Sequence, residues 1–152
     1  MHIRGGYIIP TLDSSATAMS TADLRSSNIT LTIAPDSGRD ATGYMIIDDG
    51  LNPDAIKDTN YTKVEYDFKY DSGTVHTLNI TVPIGGYTIP GGEFPYLSNI
   101  RILDCTNKPT TVTENGRLVD TKITYDSDHL VGNIEFLHAV YSDRAAVFDI
   151  SF

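Results

Sequence analysis

The side chains that could carry acid–base chemistry in this 152-residue chain come in close-set pairs, Asp48 with Asp49 and Asp126 with Asp128. Two-carboxylate hydrolysis needs the groups to flank the bond being broken, about 5 to 5.5 Å apart for direct attack and about 6.5 to 9.5 Å apart when a water intervenes. Asp48 and Asp49 would point to opposite faces of a strand, and in a turn they cap backbone amides instead. Residues two apart on a strand share a face about 6.8 Å apart, so Asp126 and Asp128 come nearer the requirement. They would still stand side by side, and they read as solvated turn acids around Ser127. The one cysteine, Cys105, permits no internal disulfide and no multi-cysteine zinc site. As a nucleophile it would need a histidine beside it in the fold, and His2, His76, His129 and His138 are the candidates. A buried, inert thiol is the simpler reading.

Metal and phosphate chemistry find less support. Asp36, Asp40, Asp48 and Asp49 could offer oxygens to calcium, but their spacing does not match the twelve-residue calcium loop. Gly85-Gly86 and Gly91-Gly92 are not followed by a helix whose N-terminus could bind an anion. No metal and no cofactor is expected. A net charge of -9 and a pI near 4.6 repel phosphate backbones, and the eleven Lys and Arg form no basic run, so nucleic acid is not an expected partner. No stretch approaches the ~18 apolar residues of a membrane-spanning helix, and no apolar leader segment follows Met1-His2-Ile3-Arg4.

Two surface chemistries remain open. Asn28-Ile29-Thr30, Asn60-Tyr61-Thr62 and Asn79-Ile80-Thr81 satisfy the N-glycosylation pattern, making Asn28, Asn60 and Asn79 glycan candidates. Nine tyrosines could stack on sugar rings. Of Tyr61, Tyr66, Tyr70, Tyr87, Tyr96 and Tyr125, the pair Tyr66 and Tyr70 shares the apolar face of its strand and reads as core. Tyr87 and Tyr96 bracket a Gly-rich loop and are the carbohydrate-binding candidates.

The elements that must position these groups are strands almost throughout. Ile29, Leu31 and Ile33 alternate with polar residues, and so do Val64, Tyr66, Phe68 and Tyr70, then Leu78, Ile80 and Val82, then Ala146, Phe148, Ile150 and Phe152. A period of two is that of a strand with one buried face. Tyr7-Ile8-Ile9, closed by Pro10, reads as a buried edge or terminal strand, and Gly43 to Ile47 as another apolar strand. Pro83 is expected to end the strand before it. Asp36-Ser37-Gly38, Asp48-Asp49-Gly50, Asp71-Ser72-Gly73 and Pro90-Gly91-Gly92 are turn signals, and Asn115-Gly116 predicts a type I′ hairpin joining Glu114 to Arg117. Only Pro53 to Asp58 predicts a short helix, with Asn52 as its cap. With 40% apolar and 20% charged residues in one domain-sized chain, the pattern predicts an all-β fold, an antiparallel β-sandwich with little helix.

Arg4-Gly5-Gly6-Tyr7-Ile8-Ile9-Pro10, then Gly43-Tyr44-Met45-Ile46-Ile47-Asp48-Asp49-Gly50, then Ile100 to Leu103, Lys108-Pro109 and Val112 to Gly116, in that order, resemble the region after the catalytic barrel in glycoside hydrolase family 31. The likeness is to α-glucosidases of the lysosomal, maltase-glucoamylase and sucrase-isomaltase type. It implies that residues 1–12 are the last strand of a proximal C-terminal domain and that 22–152 form the distal β-sandwich, with Ser14 to Thr21 linking them. It further implies a non-catalytic accessory domain packed on a (β/α)8 barrel, a retaining α-glucosidase as parent, and a secreted, lysosomal or otherwise extracytoplasmic setting. The alternative is a carbohydrate-binding module. The family's nucleophile motif begins with tryptophan, and this chain has none, so no catalytic residue is carried over. The stretch from Leu51 to Tyr61 departs from the family pattern, where a Glu or Gln commonly follows the Asp-Asp-Gly turn.

Overall fold

A computed structural model describes residues 3–13, 27–72, 74–89, 95–141 and 144–152. The Ser14 to Thr21 stretch, the Pro90-Gly91-Gly92 turn and His2 lie outside the described residues. Eleven strands follow one another among the described residues: β1 (Tyr7–Leu12), β2 (Ile29–Ala34), β3 (Ala41–Ile47), β4 (Thr62–Ser72), β5 (Val75–Gly85), β6 (Tyr96–Ile102), β7 (Thr111–Glu114), β8 (Arg117–Leu118), β9 (Thr121–Asp126), β10 (Val131–Tyr141) and β11 (Ala146–Ser151).

The fold is all-β, as the alternation predicts. All eleven strands join one hydrogen-bonded sheet in the order β8-β7-β11-β5-β4-β3-β1-β2-β6-β10-β9. The sheet is mixed rather than purely antiparallel, because β1 runs parallel to β3 and β2 parallel to β6. It curls back on itself. Phe136 of β10 and Phe148 of β11, far apart in the strand order, bring their rings to 5.5 Å. The result is close to the expected sandwich, with one face of the curled sheet enclosing a single core.

That core is built by the alternating strands. Leu31, Ile33, Val64, Phe68, Leu78, Phe148 and Ile150 are fully buried, while the residues between them face outward. Burying a side chain of this size is worth about 1.5–3 kcal/mol, so Phe68 and Phe148 are principal contributors. Tyr66 is buried too, but Tyr70, expected beside it, lies near the strand end and is partly exposed, with the Arg39 guanidinium 5.5 Å from its ring.

Local expectations meet mixed outcomes. Asn115 and Gly116 take φ of 50° and 78°, and Glu114 pairs with Arg117, which is the type I′ hairpin. Residues 53–59 are successive turns, and no helix occurs among the described residues. Asn52 does cap there, its Oδ1 accepting from the Asp54 N–H at 2.9 Å, but the backbone bonds change span from one to the next: Ala55 N–H to Asn52 O and Thr59 N–H to Ile56 O are of 3₁₀ type, Asp58 N–H to Asp54 O of α type, and Asn60 N–H to Ala55 O overshoots both.

Neither proline ends its strand. β5 runs on to Gly85, and the pairing of Lys63 with Ile84 and of Glu65 with Thr81 sets Val82 and Pro83 opposite Val64 alone, a bulge that tolerates the missing N–H. β1 runs on to Leu12. Asp13 N–H donates to Asn28 O at 2.7 Å in the β1–β2 register, so the N–H groups of alternate residues face β2 and the ring nitrogen of Pro10 faces the other way. Nor is β1 an edge strand, since it lies between β3 and β2.

Candidate functional site

β1 and β3 differ from their neighbours in being apolar on both faces. Ile8, Ala41 and Ile47 turn inward and are buried, whereas Tyr7 (48%), Ile9 (39%), Tyr44 (61%) and Ile46 (41%) stand exposed on the outer face. The two strands touch closely at one point, the parallel bridge Tyr7–Thr42, with the Thr42 N–H donating to Gly6 O at 3.1 Å. Gly43 makes that approach possible, because a Cβ there would fall on the carbonyl oxygen of Ile8. Past the bridge the strands enclose a cleft of about 290 Å³ lined by Pro10, Leu12, Met45, Ile46, Ile47 and Pro95, with Thr11 and Asp48 beside them.

Charged and polar side chains border this apolar strip. On β4, Lys63 and Glu65 pair at 2.6 Å, and Lys69 reaches Asp40 at 3.0 Å and Asp67 at 3.5 Å. The hydrogen bond that Lys63 donates to Glu65 raises the Lys63 pKa, and the one that Lys69 donates to Asp40 lowers the Asp40 pKa. All these groups are at least partly open to solvent, so each pair is worth little energetically. The Lys63 ammonium also sits 5.3 Å from the Tyr44 ring, and the Arg4 guanidinium 5.7 Å from that of Tyr7. Tyr7, Thr42, Tyr44, Glu65, Asp67, Asn79 and Thr81 line one open hollow of about 740 Å³. On the other side of β1, Ile3, Arg4, Tyr7, Ile9, Thr32 and Arg101 line another.

The sequence-derived sugar candidates sit elsewhere. Tyr87 follows β5, its backbone tied to Thr62, whose hydroxyl donates to Tyr87 O at 2.8 Å. Tyr96 opens β6 opposite Tyr141 of β10. Both are half-buried, and four strands separate β5 from β6 in the sheet order. Of the glycan candidates, Asn28 is exposed at the start of β2, while Asn60 and Asn79 are half-buried, the latter opposite Asp67.

The acids do turn chemistry. Asp48 Oδ1 accepts from the Gly50 N–H, and Asp49 Oδ1 from the N–H groups of Leu51 and Asn52, at 2.8 to 3.0 Å. Asp36 Oδ1 does the same for Gly38 and Asp40. Asp126 caps the N–H groups of Asp128 and His129 and meets His129 Nδ1 at 2.8 Å, which holds its carboxyl below the usual range. Cys105 is buried, its Sγ–H directed at Asn107 O at 3.0 Å, and burial pushes the thiol up to about 11, far from a reactive thiolate. His76 shares a cavity of only about 30 Å³ with Cys105. Its ring is enclosed by Phe68, Tyr70 and Phe152 at 4.5 to 5.3 Å, and burial, aided by Arg39, lowers its pKa.

The outer face of β1 and β3 is the feature that sequence reasoning missed. Its signal was available: an uninterrupted apolar run without alternation is the pattern of a strand covered on both sides.

Comparison with known proteins places the whole chain. No family model matches it. It is 33% identical over 142 residues to intestinal sucrase-isomaltase of Oryctolagus cuniculus, a match that takes in 91% of this chain and 7% of that protein. To lysosomal alpha-glucosidase of Rattus norvegicus it is 30% identical over 128 residues, covering 84% of this chain and 12% of that one. The chain therefore spans about a tenth of the length of these relatives. The crystal structure of a glucosidase II alpha subunit shares the fold with a TM-score of 0.69 at 21% identity, over 99% of this chain and 17% of that one.

Proposed function

The chain is a homologue of one small portion of the α-glucosidases of glycoside hydrolase family 31, and we propose that it serves as a non-catalytic accessory domain that supports the catalytic barrel of such an enzyme. The observation that carries this reading is the lopsided coverage, nearly all of this chain against 7% of sucrase-isomaltase. On this reading residues 1–12 close a proximal domain, 22–152 form the distal one, the parent is a retaining hydrolase of α-linked glucosides, and its setting is extracytoplasmic or lysosomal. The capped turn acids and the inert Cys105 fit a supporting role. Glycans at exposed Asn28 would suit the same setting.

Deleting residues 22–152 from the parent enzyme tests it. The expected outcome is a lower yield of folded enzyme and a melting temperature reduced by several degrees, since a lost contact of ~1 kcal/mol or more shifts a domain by about 2–4 °C. Unchanged yield, melting temperature and turnover would remove the reading.

A further inference from the structure

Resting on that accessory-domain reading, we propose that the outward face of β1 and β3 is the seat for the rest of the α-glucosidase polypeptide, with Tyr7, Ile9, Tyr44 and Ile46 at the buried centre of the contact.

Three observations converge. The first is distribution. Four of the twelve large exposed hydrophobic side chains among the described residues lie on the outer face of β1 and β3: Tyr7, Ile9, Tyr44 and Ile46. The others are scattered over turns and separate strands, which is ordinary for a protein surface. β1 and β3 are also neighbours in the middle of the sheet, so their outer side chains form one patch rather than two fringes.

The second is anatomy. The patch is apolar at its centre and polar at its border, with the Lys63, Glu65, Asp67 and Lys69 row on one side and Thr30, Thr32 and Arg101 on the other. Two exposed tyrosines form part of its centre. An apolar, aromatic-bearing centre depleted of charge within a polar rim is the composition of a protein interface. Thr42 lies between the two rings, and Glu65, Asp67 and Asn79 share their hollow, while Ile9 and Ile46 continue the apolar row along each strand.

The third is length. The matched relatives are single chains of which this segment is 7% to 12%. On the accessory-domain reading the remainder of the enzyme is covalently attached to this domain, at a high effective concentration compared with any second copy.

Hydroxyl-radical footprinting of the intact enzyme, read peptide by peptide by mass spectrometry, tests the proposal with an internal control. Tyr44 is 61% exposed in this domain and Leu137, on β10, is 63% exposed. If the rest of the polypeptide covers the patch and excludes water from it, Tyr7 and Tyr44 are oxidised roughly fivefold or more slowly than their exposure here implies, while Leu118 and Leu137 react as open residues. Introducing Ile46→Glu should then restore oxidation of Tyr44. Oxidation of Tyr44 at the rate of an open tyrosine overturns the proposal, as does protection that disappears on dilution, which would assign the face to a second copy. The readout is separate from that of the deletion: Tyr44 exposed in an enzyme that loses stability without residues 22–152 keeps the support role and discards this face. Tyr44 protected in an enzyme indifferent to the deletion does the reverse.

Discussion

The β4–β5–β11 region and the β1–β3 region are built from the same kind of strand and treat their outer faces in opposite ways. In β4, β5 and β11 an apolar inner row (Val64, Phe68, Leu78, Phe148, Ile150) backs onto an outer row of Lys63, Glu65, Asp67, Thr77, Asn79 and Asp149. That outer row is knitted by its own polar contacts, such as Thr77 Oγ1 to Asp149 Oδ1 at 3.2 Å. In β1 and β3 the inner row is just as buried, but the outer row is Tyr7, Ile9, Tyr44 and Ile46, open to solvent. One region is finished within this chain; the other has a second apolar face with nothing of the described structure on it. Water tolerates single exposed apolar side chains but penalises a contiguous patch in proportion to its area.

The comparison can be stressed at its strongest point first. Phe68 lies at zero exposure on the inner row of β4, and Phe68→Ala should cost about 3–5 kcal/mol in denaturant unfolding, the transfer term plus an unfilled cavity. A loss under about 1 kcal/mol would mean that the inner row is less completely packed than the zero exposure of Phe68 implies. Gly43→Ala attacks the junction of the two regions instead. The added methyl meets the Ile8 carbonyl, so β1 and β3 must part, and an overpacking cost of about 1–3 kcal/mol is expected by the same measurement. The smallest effect belongs to the outer row: Tyr44→Ser should change the stability of the 152-residue chain by no more than about 0.5 kcal/mol. A cost comparable to that of Phe68→Ala would show that Tyr44 is already covered within this chain, and the contrast between the regions would be lost.

Much of the architecture was legible because strand chemistry is local. Alternation identified β2, β4, β5 and β11 and their inner faces, and the paired positive-φ requirement of Asn115-Gly116 placed its hairpin to the residue. Side-chain oxygens two to four residues before a free N–H made the roles of Asp36, Asp48, Asp49 and Asp126 readable as turn chemistry. Prolines misled, because what Pro10 and Pro83 do depends on whether a partner strand asks for their missing N–H, and in each case the register does not. Pro53 to Asp58 carried a cap and a proline suited to helix, but six residues without an apolar face to bury do not sustain one. The outer patch was the hardest to foresee. Tyr7-Ile8-Ile9 and Tyr44 to Ile47 show no period, so nothing in them says which residue faces the core.

By itself, then, the sequence determined the strand content, the turns, the chemistry of each acid in its turn and the kinship to the α-glucosidases, since all of these depend on residues close together in the chain or on identities that can be matched one by one. Tertiary structure decided the order of the strands, the parallel contacts of β1 with β3 and β2 with β6, the enclosure of Cys105 and His76, and the gathering of Tyr7, Ile9, Tyr44 and Ile46 onto one surface. The physical reason is that pairing between strands some thirty to seventy residues apart is set by how the curled sheet closes over its core as a whole, a collective outcome that no local pattern encodes.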